Sequence, residues 1–331
     1  MKKRIISLAL AALLSISLMG CASKQTQTQQ NTDIRPSRIS IATGNSGGTV
    51  YYIGAGMGNV LGDAISDIEF TTEATNGGAA ENCAFVNESA DMIGLAALDG
   101  VQAAYDGNAE RGAASPHDKL RILMIGHMTT VYIAATEKSG VQSVADFGGK
   151  TIGWPAVGTS AYYVMKAIVE GYGFQMDELK TRSISISDQV DAMKDSQLDV
   201  FSGAGAIPMA GCTELALNCD IRFISLDDEE INDKILKNNP SWVIDTMPAG
   251  TYDGQDYEVN LVRIPMALIC NADLSEDLAY EITKDLCENT DAISAVHSEG
   301  KWWNADNTLP YLETSAVPFH AGALKYYSEH G

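Results

Sequence analysis

The amino-acid sequence predicts an α/β protein made of two similar lobes, each a parallel-rich sheet with flanking helices. Strand and helix patterns alternate along the chain. The order of these patterns in the first part returns later, with Gly48 matched by Gly158 at a lag of 110 residues. A β-α-β-α-β order favours parallel strands because parallel neighbours need long crossover connections, which are usually helical.

The first part of the folded body contains three predicted strands and two predicted helices. Residues 38–43 alternate apolar and polar side chains, as expected of a strand, and a Gly-rich turn follows them. The elements in chain order are strand 38–43, helix 49–61, strand 68–72, helix 79–87 and strand 92–97.

The second part repeats this order. Thr151–Trp154 is a predicted strand, and Gly158–Tyr163 opens a helix as Gly48–Tyr52 does earlier. Asp91 and Asp199, 108 residues apart, each precede an apolar strand. Such a lag is far longer than a solenoid repeat of roughly 20–50 residues, so it indicates two lobes, with chance similarity as the alternative.

The C-terminal part adds a long apolar strand, 260–271, and a helix, 276–291. Two α/β lobes joined by a returning strand predict a hinged clamshell. In such a fold a ligand lies between the lobes, beyond the carboxyl ends of the parallel strands.

The N-terminus has the pattern of an export signal. Lys2, Lys3 and Arg4 precede the apolar stretch 5–19, which is shorter than the roughly 20 residues of a membrane span. The stretch ends in Leu-Met-Gly-Cys, which resembles a bacterial lipobox and predicts acylation of Cys21. We therefore expect a signal peptide at 1–20 and a lipidated cysteine with a flexible tether at 21–36; an ordinary cleaved signal or a stub anchor is the alternative.

Composition excludes several classes of partner. The net charge is −21, and loss of the three basic residues of the leader makes the remainder more acidic. Such a chain is unsuited to neutralising nucleic-acid phosphates or to lying on an anionic membrane, so a lipid must provide the anchoring.

Cysteine and histidine spacings predict no metal and no cofactor. Besides Cys21 there are five cysteines, none of them in a CxxC pair, and the five histidines are scattered. A local disulfide between Cys212 and Cys219 and a set of buried free thiols are both compatible with the sequence.

The turn at residues 44–48 fits G-x-S-x-G, the nucleophile elbow of serine hydrolases. That elbow requires an already built sheet and an oxyanion loop from an earlier turn, whereas the folded body here starts only a few residues before Ser46. The turn also lacks the lysine of a phosphate-binding P-loop. We therefore expect no enzymatic activity.

Anion binding explains this turn better. Small residues let a ligand approach the free N–H groups at a helix N-terminus, where the helix dipole favours a carboxylate. Hydroxyl groups can add donors. Turns of this kind occur at 44–49, 75–78 and 158–160. Ordinary N-capping is the alternative at each turn taken alone.

These motifs resemble the TAXI family of TRAP transporter receptors, which are extracytoplasmic solute-binding proteins. The resemblance runs from about Arg38 to the C-terminus. It is carried by the motifs IATGNSGGTVYY from Ile41, ATNGG from Ala74 with Asn82, VADFGGK from Val144, VGT from Val157, MPAGTY from Met247 and VPFHAGA from Val317.

The resemblance implies a two-lobe periplasmic-binding-protein fold of the type II-like clamshell kind, with lobe 1 at 37–130 and 252–331 and lobe 2 at 131–251. It also implies a TRAP permease as partner, a lipoprotein anchored to the cell membrane, and a small carboxylate ligand such as an amino acid or oxo acid. The expected ligand-binding residues are Asn45, Ser46, Gly47, Thr49, Tyr51, Thr75, Asn76, Gly77, Trp154, Gly158, Thr159 and Ser160.

Two positions depart from the family pattern. Ala79 stands where the family often has serine, and Trp154-Pro155 stands where small residues are usual. The first removes a hydroxyl from the expected pocket and the second makes its wall bulkier. Three other functions remain open at this level: the substrate-binding lipoprotein of an ABC-type importer, a hydrolase using Ser46, and a purely structural surface lipoprotein.

Overall fold

The computed structural model describes residues 35–75 and 78–330. The predicted signal peptide, Cys21, most of the tether, Asn76 and Gly77 lie outside the described residues. The strands are β1 (Arg38–Ala42), β2 (Glu69–Glu73), β3 (Met92–Ala97), β4 (Leu120–Thr136), β5 (Thr151–Trp154), β6 (Lys180–Ser183), β7 (Val200–Gly205), β8 (Ile221–Phe223), β9 (Val243–Met247) and β10 (Val259–Asn271).

Eleven α-helices lie within the described residues. They are α1 (Thr49–Ala64), α2 (Gly78–Glu88), α3 (Leu98–Tyr105), α4 (Ser160–Gly171), α5 (Ile186–Lys194), α6 (Ala210–Asn218), α7 (Glu229–Asn238), α8 (Glu276–Glu288), α9 (Thr290–Val296), α10 (Ala305–Thr308) and α11 (Ala321–His330). None of the helices in this part of the chain is long and apolar enough to cross a membrane.

The strands form one mixed sheet in the order β2-β1-β3-β10-β4-β7-β5-β6, with β8 on β4 and β9 on β10. Its two outer parts are parallel: β1 pairs with β2 and β3, and β5 pairs with β6 and β7. The orders β2-β1-β3 and β6-β5-β7 are the same, with helices in the same places between them. This shared order confirms the repeat that the sequence predicts, and we call β1–β3 with α1–α3 the first half and β5–β7 with α4–α7 the second half.

The centre of the sheet is antiparallel, because two long strands pass through both halves. The N-terminal part of β4 pairs with β10, and from Thr130 onward β4 pairs with β7. Strand β10 pairs with β9 up to Arg263 and with β3 from Met266. One continuous mixed sheet therefore contains the parallel strands of both halves.

Strand β4 is the longest element that the sequence analysis misses; the short strands β6, β8 and β9 are missed as well. Most residues of β4 are buried, and the side chains of Leu123, Ile125 and Ile133 are at most 1% exposed. A strand covered on both faces lacks the alternation by which strands are recognised. The predicted helix at 276–291 is also wrong in one respect: it breaks at Asn289, which leaves helical geometry (φ −119°, ψ 32°) and separates α8 from α9.

A tryptophan packs on the middle of β4. Trp303 is fully buried, and its indole Nε1 donates to Nδ1 of His127 at 3.2 Å. Gly126 makes room for the ring, since a Cβ at this position would lie 2.1 Å from Trp303 Cε2. The glycine is therefore required by close packing.

The five cysteines in the described part of the chain are free thiols. Cys83, Cys212 and Cys270 are buried, and Cys219 and Cys287 are partly buried. A disulfide between Cys212 and Cys219 is therefore not formed. Burial raises the thiol pKa of all five, to about 12 for Cys287.

We predict that Gly126→Ala destabilises the protein by about 1–3 kcal/mol, because the added methyl group overpacks against Trp303. Gly62→Ala is the matched control: Gly62 lies exposed in α1, and a Cβ there meets nothing within 4 Å. The control should gain up to about 1 kcal/mol from helix propensity. Urea unfolding of both variants checks the prediction, and an unchanged midpoint for Gly126→Ala would contradict it.

Candidate functional site

The first predicted turn follows β1 and leads into α1. Asn45, Ser46 and Gly47 are exposed, and Gly47 has the positive φ of 83° that favours glycine. Gly48 is the N-cap of α1 and provides no side-chain cap, and α1 begins at Thr49. The first-turn N–H groups of this 16-residue helix are thus without a capping side chain, as an anion site requires.

The second turn is tied to the first. Thr75 is buried; its N–H donates to Gly44 O at 3.2 Å and its hydroxyl donates to Thr43 O at 2.8 Å. Asn82 of α2 is fully buried and donates to Thr43 O (2.6 Å) and Leu95 O (2.7 Å). Thr75 and Asn82 therefore hold the carboxyl ends of β1 and β3 together. The predicted Asn76 and Gly77 lie outside the described residues.

The third turn contains Gly158, with φ 90°, and opens α4 in the second half. Thr159 is the N-cap: its Oγ1 accepts from Tyr162 N (3.3 Å) and donates to Ala156 O (2.7 Å). Ser160 donates its hydroxyl to Asp99 Oδ1 at 2.6 Å. Both hydroxyl protons are committed, so the expectation that these groups supply free donors is not met, and ordinary capping accounts for Thr159.

The structure brings the second and third turns together. A Cβ at Gly78, where α2 begins, would lie 3.9 Å from Thr159 Cγ2, and one at Gly100 would lie 3.8 Å from Ser160 Oγ. Because Thr75 also contacts Gly44, the three turns form one group of contacts at the carboxyl ends of β1, β2 and β5. In open α/β sheets, ligands bind at this edge, beyond the carboxyl ends of the strands.

Two predicted aromatic residues lie close to the helix starts. Trp154 ends β5, is 2% exposed and packs edge-to-face on Tyr162 of α4. Its indole Nε1 is buried and has no hydrogen-bond partner among the described residues. Tyr51 packs edge-to-face on Tyr52, whose ring stacks on His297. Trp154 therefore offers a buried donor beside the third turn.

Sequence reasoning misses a cluster around Asp99, the second residue of α3. Asp99 is 3% exposed and forms an ion pair with Arg111 at 2.5 Å. A cavity of about 480 Å³ lies next to this pair and is lined by residues from α3, from residues 238–241 and from residues 311–316. One feature of the sequence could have indicated this cluster. Asp99 follows the buried strand β3, in the same topological place as the turn after β1.

No catalytic arrangement forms around Ser46. His297 Nδ1 accepts from Glu299 N, and His320 is held between Leu274 O and Gly322 N. Neither histidine hydrogen-bonds to Ser46 in the described structure, whereas a serine nucleophile needs a base within hydrogen-bond reach. Within residues 35–75 and 78–330, no three His, Cys, Asp or Glu side chains converge as a metal site requires.

A buried histidine lies on the central strand. Burial, with smaller contributions from the charges of His297 and Arg263, lowers the pKa of His127 from 6.5 to about 3. Its Nδ1 accepts from Trp303, which requires the unprotonated atom. His127 is therefore neutral in the folded protein at physiological pH.

The comparisons with known proteins agree with this architecture. A model of the NMT1-like family matches residues 41–331. The periplasmic binding protein BugD has 9% identity and a TM-score of 0.53, covering 89% of this chain and 94% of its own. MatC from Rhodopseudomonas palustris with bound malate has 11% identity and a TM-score of 0.52, covering 89% and 98%. A periplasmic transporter has 10% identity and a TM-score of 0.50, covering 89% and 93%.

At these identities the three structures establish the fold alone. The predicted α/β periplasmic-binding-protein fold is confirmed.

We predict that the free energy of unfolding falls as the pH is lowered from about 6.5 towards 3. In this window the unfolded chain protonates His127 while the folded protein keeps it neutral, so lowering the pH favours the unfolded state. Urea unfolding at pH 7 and pH 5 should show a smaller pH dependence in His127→Gln than in wild type. The exposed His330→Gln is the control; equal slopes in wild type and His127→Gln would contradict the prediction.

Proposed function

The chain belongs to the NMT1-like family, and we propose that it is an extracytoplasmic solute-binding receptor that captures a small carboxylate and delivers it to a membrane permease. One observation carries the proposal. The uncapped N-terminus of α1 in the first half lies in the same group of contacts as the start of α4 in the second half, at the carboxyl edge of the strands.

The lobe limits form part of the proposal. We assign residues 37–130 and 252–331 to lobe 1 and residues 131–251 to lobe 2. The change of partner along β4 at Thr130 supports the first limit. The chain returns to lobe 1 along β10. This strand pairs with β9 up to Arg263 and with β3 from Met266. Among the described strands, β4 and β10 alone link the first half of the sheet to the second, so we propose them as the hinge.

The chemistry of the turns favours a carboxylate over a cation or a neutral sugar. Free N–H groups and the positive end of a helix dipole stabilise negative charge, and the protein's own strong negative charge makes such a local site necessary for an anion to bind. We propose amino acids and oxo acids as the ligand classes. MatC, which shares the fold, was solved with malate bound.

The resemblance of the sequence motifs to the TAXI receptors makes a TRAP permease the proposed partner. The second candidate is the binding lipoprotein of an ABC-type importer, because the same fold serves both kinds of transporter. Identification of the permease encoded beside this chain separates the two. In either case we propose that Cys21 carries lipid and attaches the receptor to the cell membrane.

We predict that a small carboxylate raises the stability of the purified protein by about 4 kcal/mol when present at 1,000 times its dissociation constant. Thermal-shift measurements against amino acids, oxo acids, dicarboxylates, amines and neutral sugars check this. Ser46→Ala should weaken binding by about 10- to 150-fold if its hydroxyl donates to the charged ligand. Ser328→Ala, an exposed change in α11, should bind as wild type. Stabilisation by amines or sugars alone would refute the carboxylate assignment.

We also predict that the wild-type chain incorporates labelled fatty acid and fractionates with membranes, since several acyl chains give stable attachment. Cys21→Ala should lose the label because the acceptor thiol is gone. Cys287→Ala serves as the control, since it removes a thiol of the folded body and should leave labelling unchanged. Labelling of Cys21→Ala would show that the anchor lies elsewhere.

A further inference from the structure

Asp99 accepts four hydrogen bonds while being 3% exposed. Its Oδ1 accepts from Gly100 N (2.8 Å) and from the Ser160 hydroxyl (2.6 Å). Its Oδ2 accepts from Arg111 Nη2 (2.5 Å) and from Trp242 Nε1 (3.0 Å). A buried carboxylate with all its partners is well satisfied, and losing any one partner is costly.

The four donors come from both halves of the sheet. Gly100 and Arg111 belong to the same part of the chain as Asp99. Ser160 is the first residue of α4, in the second half. Trp242 follows α7, and α7 packs on α4: a Cβ at Gly171 of α4 would lie 2.9 Å from Ile231 Cγ2. One carboxylate of the first half thus holds two separate segments of the second half.

Further contacts surround this carboxylate. The guanidinium of Arg111 lies 4.4 Å from the centre of the Tyr163 ring, and the Tyr163 hydroxyl donates to Glu110 O at 2.6 Å. The cavity beside them has walls from α3 and from residues 238–241, so its width depends on the distance between the halves. Arg111 balances the charge of Asp99, which lets the carboxylate remain buried.

We propose that Asp99 is a positioning residue that holds the two halves in the arrangement seen here through its bonds to Ser160 and Trp242. The idea rests on the proposed function, because closure between halves is what encloses a solute. Rotation about β4 and β10 would separate Asp99 from both donors. The bond also commits the Ser160 proton, so Ser160 presents only its lone pairs to a bound solute, which must supply a donor there.

The test measures the distance between the halves without any ligand. Ketone-bearing unnatural residues are placed at Ala74 and Arg182, exposed positions at the carboxyl ends of β2 and β6, and are spin-labelled for double electron–electron resonance. This labelling avoids the five free thiols. Native mass spectrometry checks that the purified full-length protein carries no solute.

Trp242→Phe and Ser160→Ala each remove one bond across the halves and keep Asp99 paired with Arg111. Each should shift the equilibrium from the short towards the long distance by about 10- to 150-fold, as expected for a hydrogen bond to a charged group. Ser160→Thr, which retains a hydroxyl, should restore the wild-type distribution. A purely structural contact would show no such rescue.

Trp302→Phe is the control, since Trp302 is 44% exposed and its ring contacts the Lys301 ammonium rather than Asp99. It should leave the distance distribution unchanged. Wild-type distributions in both Trp242→Phe and Ser160→Ala would overturn the proposal. Because no solute is added, that result would not bear on carboxylate binding, which the thermal-shift measurements test separately.

Discussion

The antiparallel pairing of β4 with β10 is the constraint on which the rest of the molecule depends. The two strands run side by side from Leu120 to Thr130 and from Arg263 to Asn271, and each continues into further pairings. Parallel strands on either side can join one sheet only because these two strands connect them. Their side chains are covered on both faces, so the packing of Trp303 over Gly126 bears on both halves at once.

Local patterns predicted the outer parts of the sheet well, because there each strand and helix carries its own periodicity. Strand β3 and strand β5 begin and end where the sequence placed them, whereas β6, whose four residues are all exposed, was not predicted. The centre could not be predicted in this way. A strand such as β4, apolar along most of its length, has no alternation, and its partners in β7, β8 and β10 lie about 65 to 150 residues away in sequence.

In the candidate site, too, local patterns predicted some features, and others depend on contacts between distant residues. Glycine, serine and threonine between a strand and a helix marked all three turns, because those residues are required locally. What each hydroxyl does depends on distant neighbours: Thr159 caps its own helix, whereas Ser160 is engaged by Asp99, 61 residues earlier. Asp99 itself follows a strand without any recognisable motif. Its role depends on Trp242, which is 143 residues away and which no local pattern connects with it.

The state of the cysteines has a consequence for how the protein matures. All five thiols of the described part of the chain are free, and burial keeps each of them protonated. Thiol–disulfide exchange proceeds through the thiolate, so these groups are poor substrates for oxidation or for mixed disulfides once the body has folded. No disulfide has to form for the described body to fold, so it can fold in a reducing medium without a thiol oxidase.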